Sequence, residues 1–467
     1  MKIRAEINGV VYEKEYSSPA LISDILASCG ASFSAPCGGK GVCGKCAVTV
    51  RGAHEPFSPD GRALACRTRV TGDAHIIYNT TQDKIQVLTA NDSFKIVPSP
   101  ALTGEGTAVD IGTTTVAAAT FDLASGNMTS RAGGPNPQSS HGADVMSRLD
   151  YARVPARAQI LMRDIRETVN RLIKGERAVI TGNTAMMCFF AGKDASGMCA
   201  FPFAAPDLFG YEEENIYYAP CAAPFFGADA VCATAHCIEY GEPCLVADVG
   251  TNGEIACFDG RGVICCSTSA GPCFEGAGIK CGMPASDGAV CEVKRAGSRP
   301  EYTVIGGITP LGLCGTGAAD LTAFLLETGR LRHDGYLESE YMLAGKVGIT
   351  PADIRAIQLA KAAIRAGIEV LLDESGMRGK IKKFYLAGGL GNALKPRTAA
   401  ALGLIPPDME DMCVCAGNAA LAGAARALTD GAFRAKLETL ARECRYIELA
   451  RDARFERYFI NNMRFGG

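Results

Sequence analysis

The first sixteen residues, MKIRAEINGVVYEKEY, alternate apolar and polar positions around Asn8-Gly9. That pattern predicts two strands joined by a tight hairpin turn. From about residue 106 onward, strand-like and helix-like periods take turns along the chain. Short apolar strands are predicted at AVDIG (108–112), LVADVG (245–250) and KFYLA (383–387), and an amphipathic helix over 157–173. Another helix is predicted after Thr350-Pro351, where threonine serves as the cap, proline opens the first turn and Asp353 sits within it. Its apolar residues Ile354, Ile357, Ile364, Ile368 and Leu371 keep to one face. Between the two regions, residues 81–105 carry prolines around a serine and a Thr-Gly pair, and read as a connector. Strands alternating with helices predict an α/β architecture for the larger part of the chain.

The 467 residues are enough for two or three domains, and 48% apolar with 21% charged is a globular composition. A net charge of -3 leaves no electrostatic footprint for nucleic acid or anionic lipid. No run of about twenty apolar residues offers a membrane span. The opening segment has no apolar core followed by a small-residue cleavage site, so a cytoplasmic protein is expected. Twenty-one cysteines without a secretory signal are not expected to form a disulfide framework. Most stand singly in apolar stretches, as Cys188, Cys232, Cys257 and Cys314 do, and read as small buried hydrophobes.

One cysteine group has ligand spacing: Cys37, Cys43, Cys46 and Cys66, as C-x5-C-x2-C-x19-C. Four thiolates are what a [2Fe-2S] cluster needs, two for each iron. Gly38, Gly39, Gly41 and Gly44 let the intervening loop wrap closely and aim N–H groups at the sulfurs. A zinc site is the structural rival, but zinc usually takes close-spaced ligand pairs at both ends, and here only Cys43 and Cys46 are so spaced. The stretch Gly39–Lys45 also reads G-x4-G-K, the start of a phosphate loop. The next residue is Cys46 where a magnesium-binding hydroxyl is needed, so that reading fails.

The remaining chemistry lies in an internal repeat. Ala108-Val-Asp-Ile-Gly-Thr-Thr-Thr-Val-Ala reads against Ala247-Asp-Val-Gly-Thr-Asn-Gly-Glu-Ile-Ala, with Asp110 and Asp248 138 residues apart. Each copy is an apolar strand, Asp-x-Gly-Thr, a tight turn and a second strand. Two such hairpins facing across a cleft make a phosphate clamp. Gly112 and Gly250 allow close backbone approach, and Thr113, Thr114, Thr251 and Asn252 offer hydroxyls and N–H groups to phosphate. Asp110 and Asp248 hold hydrated magnesium or position water. The strand Lys383–Ala387 runs into paired glycines, Gly388 and Gly389, where an adenine ring could stack on backbone.

The cysteine pattern resembles plant- and vertebrate-type ferredoxins over about residues 1–80, which implies an α+β β-grasp domain; five residues separate the first two cysteines where the plant type has four. The three later motifs together resemble the actin, hexokinase and Hsp70 (ASKHA) superfamily over most of residues 106–467. That implies a duplicated ATPase domain in two halves, roughly 106–240 and 241–467, with residues 81–105 as linker. Within that superfamily the chain resembles the reductive activators of corrinoid proteins. The matching stretches include NPQSSHGADVMSRLDYA (136–152), TGNTAMM (181–187), PFFGADAV (224–231), CSTSAGPCFEGAGI (266–279), GLCGTG (312–317) and AGGLGN (387–392).

The resemblance implies a [2Fe-2S] cluster, ATP and Mg2+ as cofactors, with Gly315 and Gly317 among the nucleotide-binding residues. It also implies a corrinoid protein of a methyltransferase system as partner, electron delivery to Co(II) driven by ATP, and a homodimer. The electron donor to the cluster is left open. Two departures stand out: the best-known activators carry an extra domain where this chain has its connector, and a familiar histidine after G-N-T-x-M is absent, with Cys188 nearby. The alternatives are a small-molecule kinase of the same superfamily with a redox-regulatory iron–sulfur domain, an activator of radical acyl-CoA dehydratases, and a non-enzymatic electron carrier.

Overall fold

The computed structural model describes residues 1–29, 41, 46–58, 60–78, 95–296, 299–391 and 393–466. Cys37 and Cys43 lie outside the described residues, as do Asn392 and residues 79–94, which include most of the expected connector. The chain divides into two compact units, Met1–Asp83 with Pro135–Thr168, and Lys84–Gly134 with Val169–Gly467.

In the first unit the strands order as Val10–Glu15, Lys2–Ile7, Arg69–Tyr78, Ala47–Glu55 and Arg62–Leu64, with Ala20–Leu21 also on Arg69–Tyr78. The predicted hairpin turn is present: Asn8 and Gly9 both take positive φ, 51° and 81°, the requirement of a two-residue turn that matches strand twist. Lys2–Ile7 runs parallel to Arg69–Tyr78, so chain from both ends of the domain meets at the sheet centre. The helix Ile22–Ser28 buries Ile22, Ile25 and Leu26, and these join Ile3, Val48, Val50, Val70 and Ile76 in one core. Each such side chain contributes roughly 1.5–3 kcal/mol by leaving water. The α+β ferredoxin-like fold expected from the cysteine pattern is what these residues build.

The same unit holds a helical segment as far as Thr168. Val145–Ala152 begins at a reciprocal capping box between Asp144 and Ser147, and the long helix runs Pro155–Leu172 where the periodicity predicted 157–173. His141 stacks on Tyr151 with ring centroids 4.7 Å apart and lies 3.4 Å from Asp164.

The second unit is built twice over. One six-stranded sheet has the order Tyr211–Glu213, Ile216–Tyr218, Arg177–Gly182, Glu105–Ile111, Thr115–Asp122, Met128–Pro135. The other has the order Cys413–Gly417, Lys383–Ala387, Cys244–Val249, Asn252–Phe258, Val263–Ser269, Arg445–Tyr446. In each, the strand bearing the repeat aspartate pairs antiparallel with the strand after it and parallel with a later one. The duplication read from two ten-residue stretches therefore extends to whole sheets.

The helix after Thr350 spans Pro351–Ser375 with Thr350 as its cap, as expected, and Asp353 closes a reciprocal capping box with it. It departs from the one-faced reading. Lys361, Arg365 and Glu369 are buried along with the isoleucines, because they bond within the interior. Lys361 Nζ donates to the Arg464 carbonyl, and Arg365 Nε donates to Glu369 Oε1 at 2.7 Å. Cys188, Cys232, Cys257 and Cys314 are all buried, as expected. Burial pushes the Cys188 and Cys232 thiols up to about 12, which keeps them protonated and unreactive.

Candidate functional site

Strand pairing brings two of the predicted cluster cysteines together. Ala47 pairs with Leu64, and Ala65 N–H donates to the Cys46 carbonyl at 2.9 Å. The thiols of Cys46 and Cys66 consequently lie 3.2 Å apart. That is too long for a disulfide, whose sulfurs are about 2.05 Å apart, and it suits two thiolates converging on one metal. Cys29 ends the helix Ile22–Ser28 and is buried in the core.

In the second unit, a cavity of about 280 Å³ is lined by residues of both sheets. It is small for a ligand pocket. The first hairpin places Asp110 near the end of Glu105–Ile111, and Gly112, Thr113 and Thr114 in the turn before Thr115–Asp122. The second places Asp248, Gly250, Thr251 and Asn252 in the same way. Gly315, Gly388 and Gly389 line the same space. Gly388 has φ +82°, and a Cβ there would stand 2.2 Å from Asp248 Oδ1, so only glycine fits beside that carboxylate. Nothing lies within 4 Å of the Cβ position of Gly389, which leaves a flat backbone surface facing the cavity.

Gly317 is the exception among the glycines named from sequence. It does not line the cavity. Its Cβ position falls 2.0 Å from the Val290 carbonyl, so it lets the helix Gly315–Glu327 pack against the strand Ala289–Ala296. The two glycines of GLCGTG therefore divide: Gly315 faces the cavity at the helix N-terminus, where partial positive charge suits an anion, and Gly317 is a packing residue.

Several cavity residues carry no repeat signature. Asn183 caps the helix Thr184–Ala191, and its other side-chain atom, Nδ2, donates to Thr113 Oγ1 at 3.1 Å. Asn418 caps Ala419–Arg426 and donates through Nδ2 to Asp110 Oδ2 at 3.0 Å. Each helix cap thus holds one residue of the first hairpin. Glu275 accepts from Thr251 Oγ1 at 2.9 Å and also from Thr114 Oγ1. Asp229 and Glu254 complete the carboxylate lining. The signal for the two asparagines was local, an Asn-Thr or Asn-Ala pair opening an apolar helix after a strand. Glu254 lies inside the second hairpin itself.

The carboxylates raise one another's affinity for protons. Burial, and then the charges of Asp110 and Glu275, push Asp248 up to about 7. Burial pushes Asp110 up to about 6 against the lowering bond from Asn418. Burial and neighbouring carboxylates raise Asp229 and Glu254 well above the ordinary range. Carboxylates lining one cavity suit a hydrated divalent cation, which keeps several of its waters. The donors fit both groups expected from sequence: hydroxyls, a helix N-terminus and bare glycine for a nucleotide, and carboxylates for Mg2+. No helix among the described residues is long and apolar enough to cross a membrane.

Residues 5–71 match the 2Fe-2S iron-sulfur cluster binding domain. Residues 105–238 match the RACo middle region, and residues 242–466 match the C-terminal domain of RACo, its ASKHA domain. The corrinoid activation enzyme RamQ of Eubacterium limosum is 25% identical, over 97% of this chain and 98% of its own. A Methanosarcina barkeri reductase of the Co(II) methylated amine-specific corrinoid protein is 28% identical, over 57% of this chain and 59% of its own. Among solved structures, a reductive activator for corrinoid,iron-sulfur protein superposes with a TM-score of 0.71 at 25% identity, covering 99% of this chain and 98% of that one. With a 2Fe-2S domain followed by the RACo middle and ASKHA regions, which together run from residue 105 to 466, the chain belongs to the RACo family.

Proposed function

We propose that this protein is an ATP-dependent reductive activator of a corrinoid protein, passing one electron to Co(II) to give Co(I). The observation that carries the reading is the coexistence, on one chain, of the Cys46–Cys66 thiol pair and the duplicated aspartate–threonine hairpins around one cavity. A ferredoxin needs no nucleotide clamp, and a kinase needs no cluster. The family membership and the corrinoid activities in its relatives' names support the same reading.

Cys37, Cys43, Cys46 and Cys66 would hold the cluster, which supplies single electrons when bound. The hydroxyls of Thr113, Thr114 and Thr251 and the turn N–H groups would hold phosphates, with Asn183 fixing Thr113. Asp110 and Asp248 would hold hydrated Mg2+ or orient the attacking water, with Asn418 fixing Asp110. Gly388 and Gly389 would back the adenine. Returning an electron to a corrinoid is uphill, at about 1.4 kcal/mol for each 59 mV. A nucleotide-dependent change of a few kcal/mol offsets such a gap by favouring the accepting state of the partner. The partner belongs to a methyltransferase system, and the working form is a homodimer.

The test is anaerobic and optical: full-length protein, a reductant and a corrinoid protein held as Co(II), followed at the Co(I) absorbance with and without ATP. Co(I) formed only with ATP is expected. ATP turnover that rises with a sugar or carboxylic acid, with no Co(I) from any corrinoid protein, would instead favour the kinase.

A further inference from the structure

The hydroxyls assigned to phosphate are already engaged. Thr114 of the first hairpin and Thr251 of the second both donate to the Glu275 carboxylate. The Cβ position of Gly250 lies 3.4 Å from Glu275 Oε1, so the backbone of the second turn also closes on this group. Glu275 ends the short turn Pro272–Glu275 and reaches into the cavity from there, while its neighbour Phe274 is buried and fixed.

A carboxylate and a terminal phosphate present the same thing to a hydroxyl: paired anionic oxygens that only accept. A threonine hydroxyl has one proton to donate. Given to Glu275, that proton is withheld from phosphate. Two anions sharing the same pair of donors would also repel at close range in a poorly hydrated cleft. Occupancy by Glu275 and occupancy by the terminal phosphate are therefore alternatives.

We infer that Glu275 is an internal surrogate for the terminal phosphate, which bridges the two hairpins in the nucleotide-free protein and is displaced when ATP binds. This rests on the cavity being the ATP site. The surrogate lowers apparent ATP affinity by the fraction of molecules in which the donors are open. It also makes the turn Pro272–Glu275 respond to the third phosphate in particular, since ADP leaves Glu275 in place.

The test is calorimetric titration of the full-length, cluster-loaded protein with Mg2+ and either a non-hydrolysable ATP analogue or ADP. Glu275→Ala should bind the triphosphate analogue about tenfold tighter than wild type, with ADP changed less than about twofold. Glu275→Gln keeps the side chain's length without its charge and should move the same way, which guards against a folding defect in the alanine variant. Triphosphate binding that is unchanged or weaker in both variants would overturn the inference and place Glu275 among the metal or water ligands. An equal gain for ADP would also overturn it. Absence of binding by wild type and variants alike would overturn the nucleotide reading of the cavity itself.

Discussion

The two six-stranded sheets present the same hairpin and hold it differently. In the first, two side chains are tethered from outside, Thr113 by Asn183 and Asp110 by Asn418. In the second, Thr251 is held by Glu275 and Asp248 lies against the bare backbone of Gly388. The consequence shows in proton affinity: Asp110, with an amide donor, is raised less than Asp248, which faces the charges of Asp110 and Glu275. Duplication supplied one frame twice, and the surroundings then tied one aspartate to an amide donor and set the other beside bare backbone and neighbouring carboxylates.

The largest effect expected from this comparison is on the aspartates. Asp248→Asn should lower ATP hydrolysis by about a thousandfold and Asp110→Asn by about a hundredfold, in the range for loss of preorganised charge. Both should retain the cluster's visible spectrum. Equal losses in steady-state assays would remove the division of labour. Next come the glycines. Gly388→Ala places a methyl on the Asp248 carboxylate and should abolish measurable nucleotide binding. Gly317→Ala should instead lower thermal stability, by about 1–3 kcal/mol of overpacking, with the nucleotide Kd of the folded protein nearly unchanged.

A smaller effect is expected at the caps. Asn418→Ala removes both a helix cap and the bond that lowers Asp110, so it should cost about 1 kcal/mol of stability and shift the acid limb of the ATPase pH profile upward. Asn183→Ala should cost similar stability without that shift, since its partner is a threonine.

A further effect is expected in the pH dependence of stability. Asp110 and Asp248 titrate at about 6 and about 7 in the folded protein, against about 3.9 when unfolded. Between those values the folded state binds more protons, so the nucleotide-free protein should lose stability as pH rises from about 4 to about 7 and level off above. Mg2+ needs the ionised forms, so stabilisation by Mg2+ with an ATP analogue should grow over the same interval. Thermal unfolding with and without the ligands, from pH 5 to 8, measures both.

Much of this was legible in the sequence because the motifs are local. A strand, Asp-x-Gly-Thr and a turn carry their own geometry, as does Asn8-Gly9, and Thr350 capped its helix as read. The groups that sequence reasoning did not place depend on distance along the chain. Asn418 meets Asp110 across 308 residues, and Glu275 meets Thr114 across 161. Gly317 shows the reverse limit: it shares a motif with Gly315, and only the approach of Val290 reveals that it packs. The interior charges of the long central helix were hidden for the same reason, since their partners at 405 and 464 lie elsewhere in the sequence.

The most direct test of the central claim follows both halves of the reaction at once. Protein with its cluster reduced in advance, and no further reductant, is mixed anaerobically with a Co(II) corrinoid protein, and cluster oxidation and Co(I) appearance are recorded together. The account predicts one Co(I) for each cluster oxidised, with ATP required, and neither signal moving in Asp248→Asn. Co(I) formed at the same rate without ATP, or cluster oxidation unaccompanied by Co(I), would contradict it.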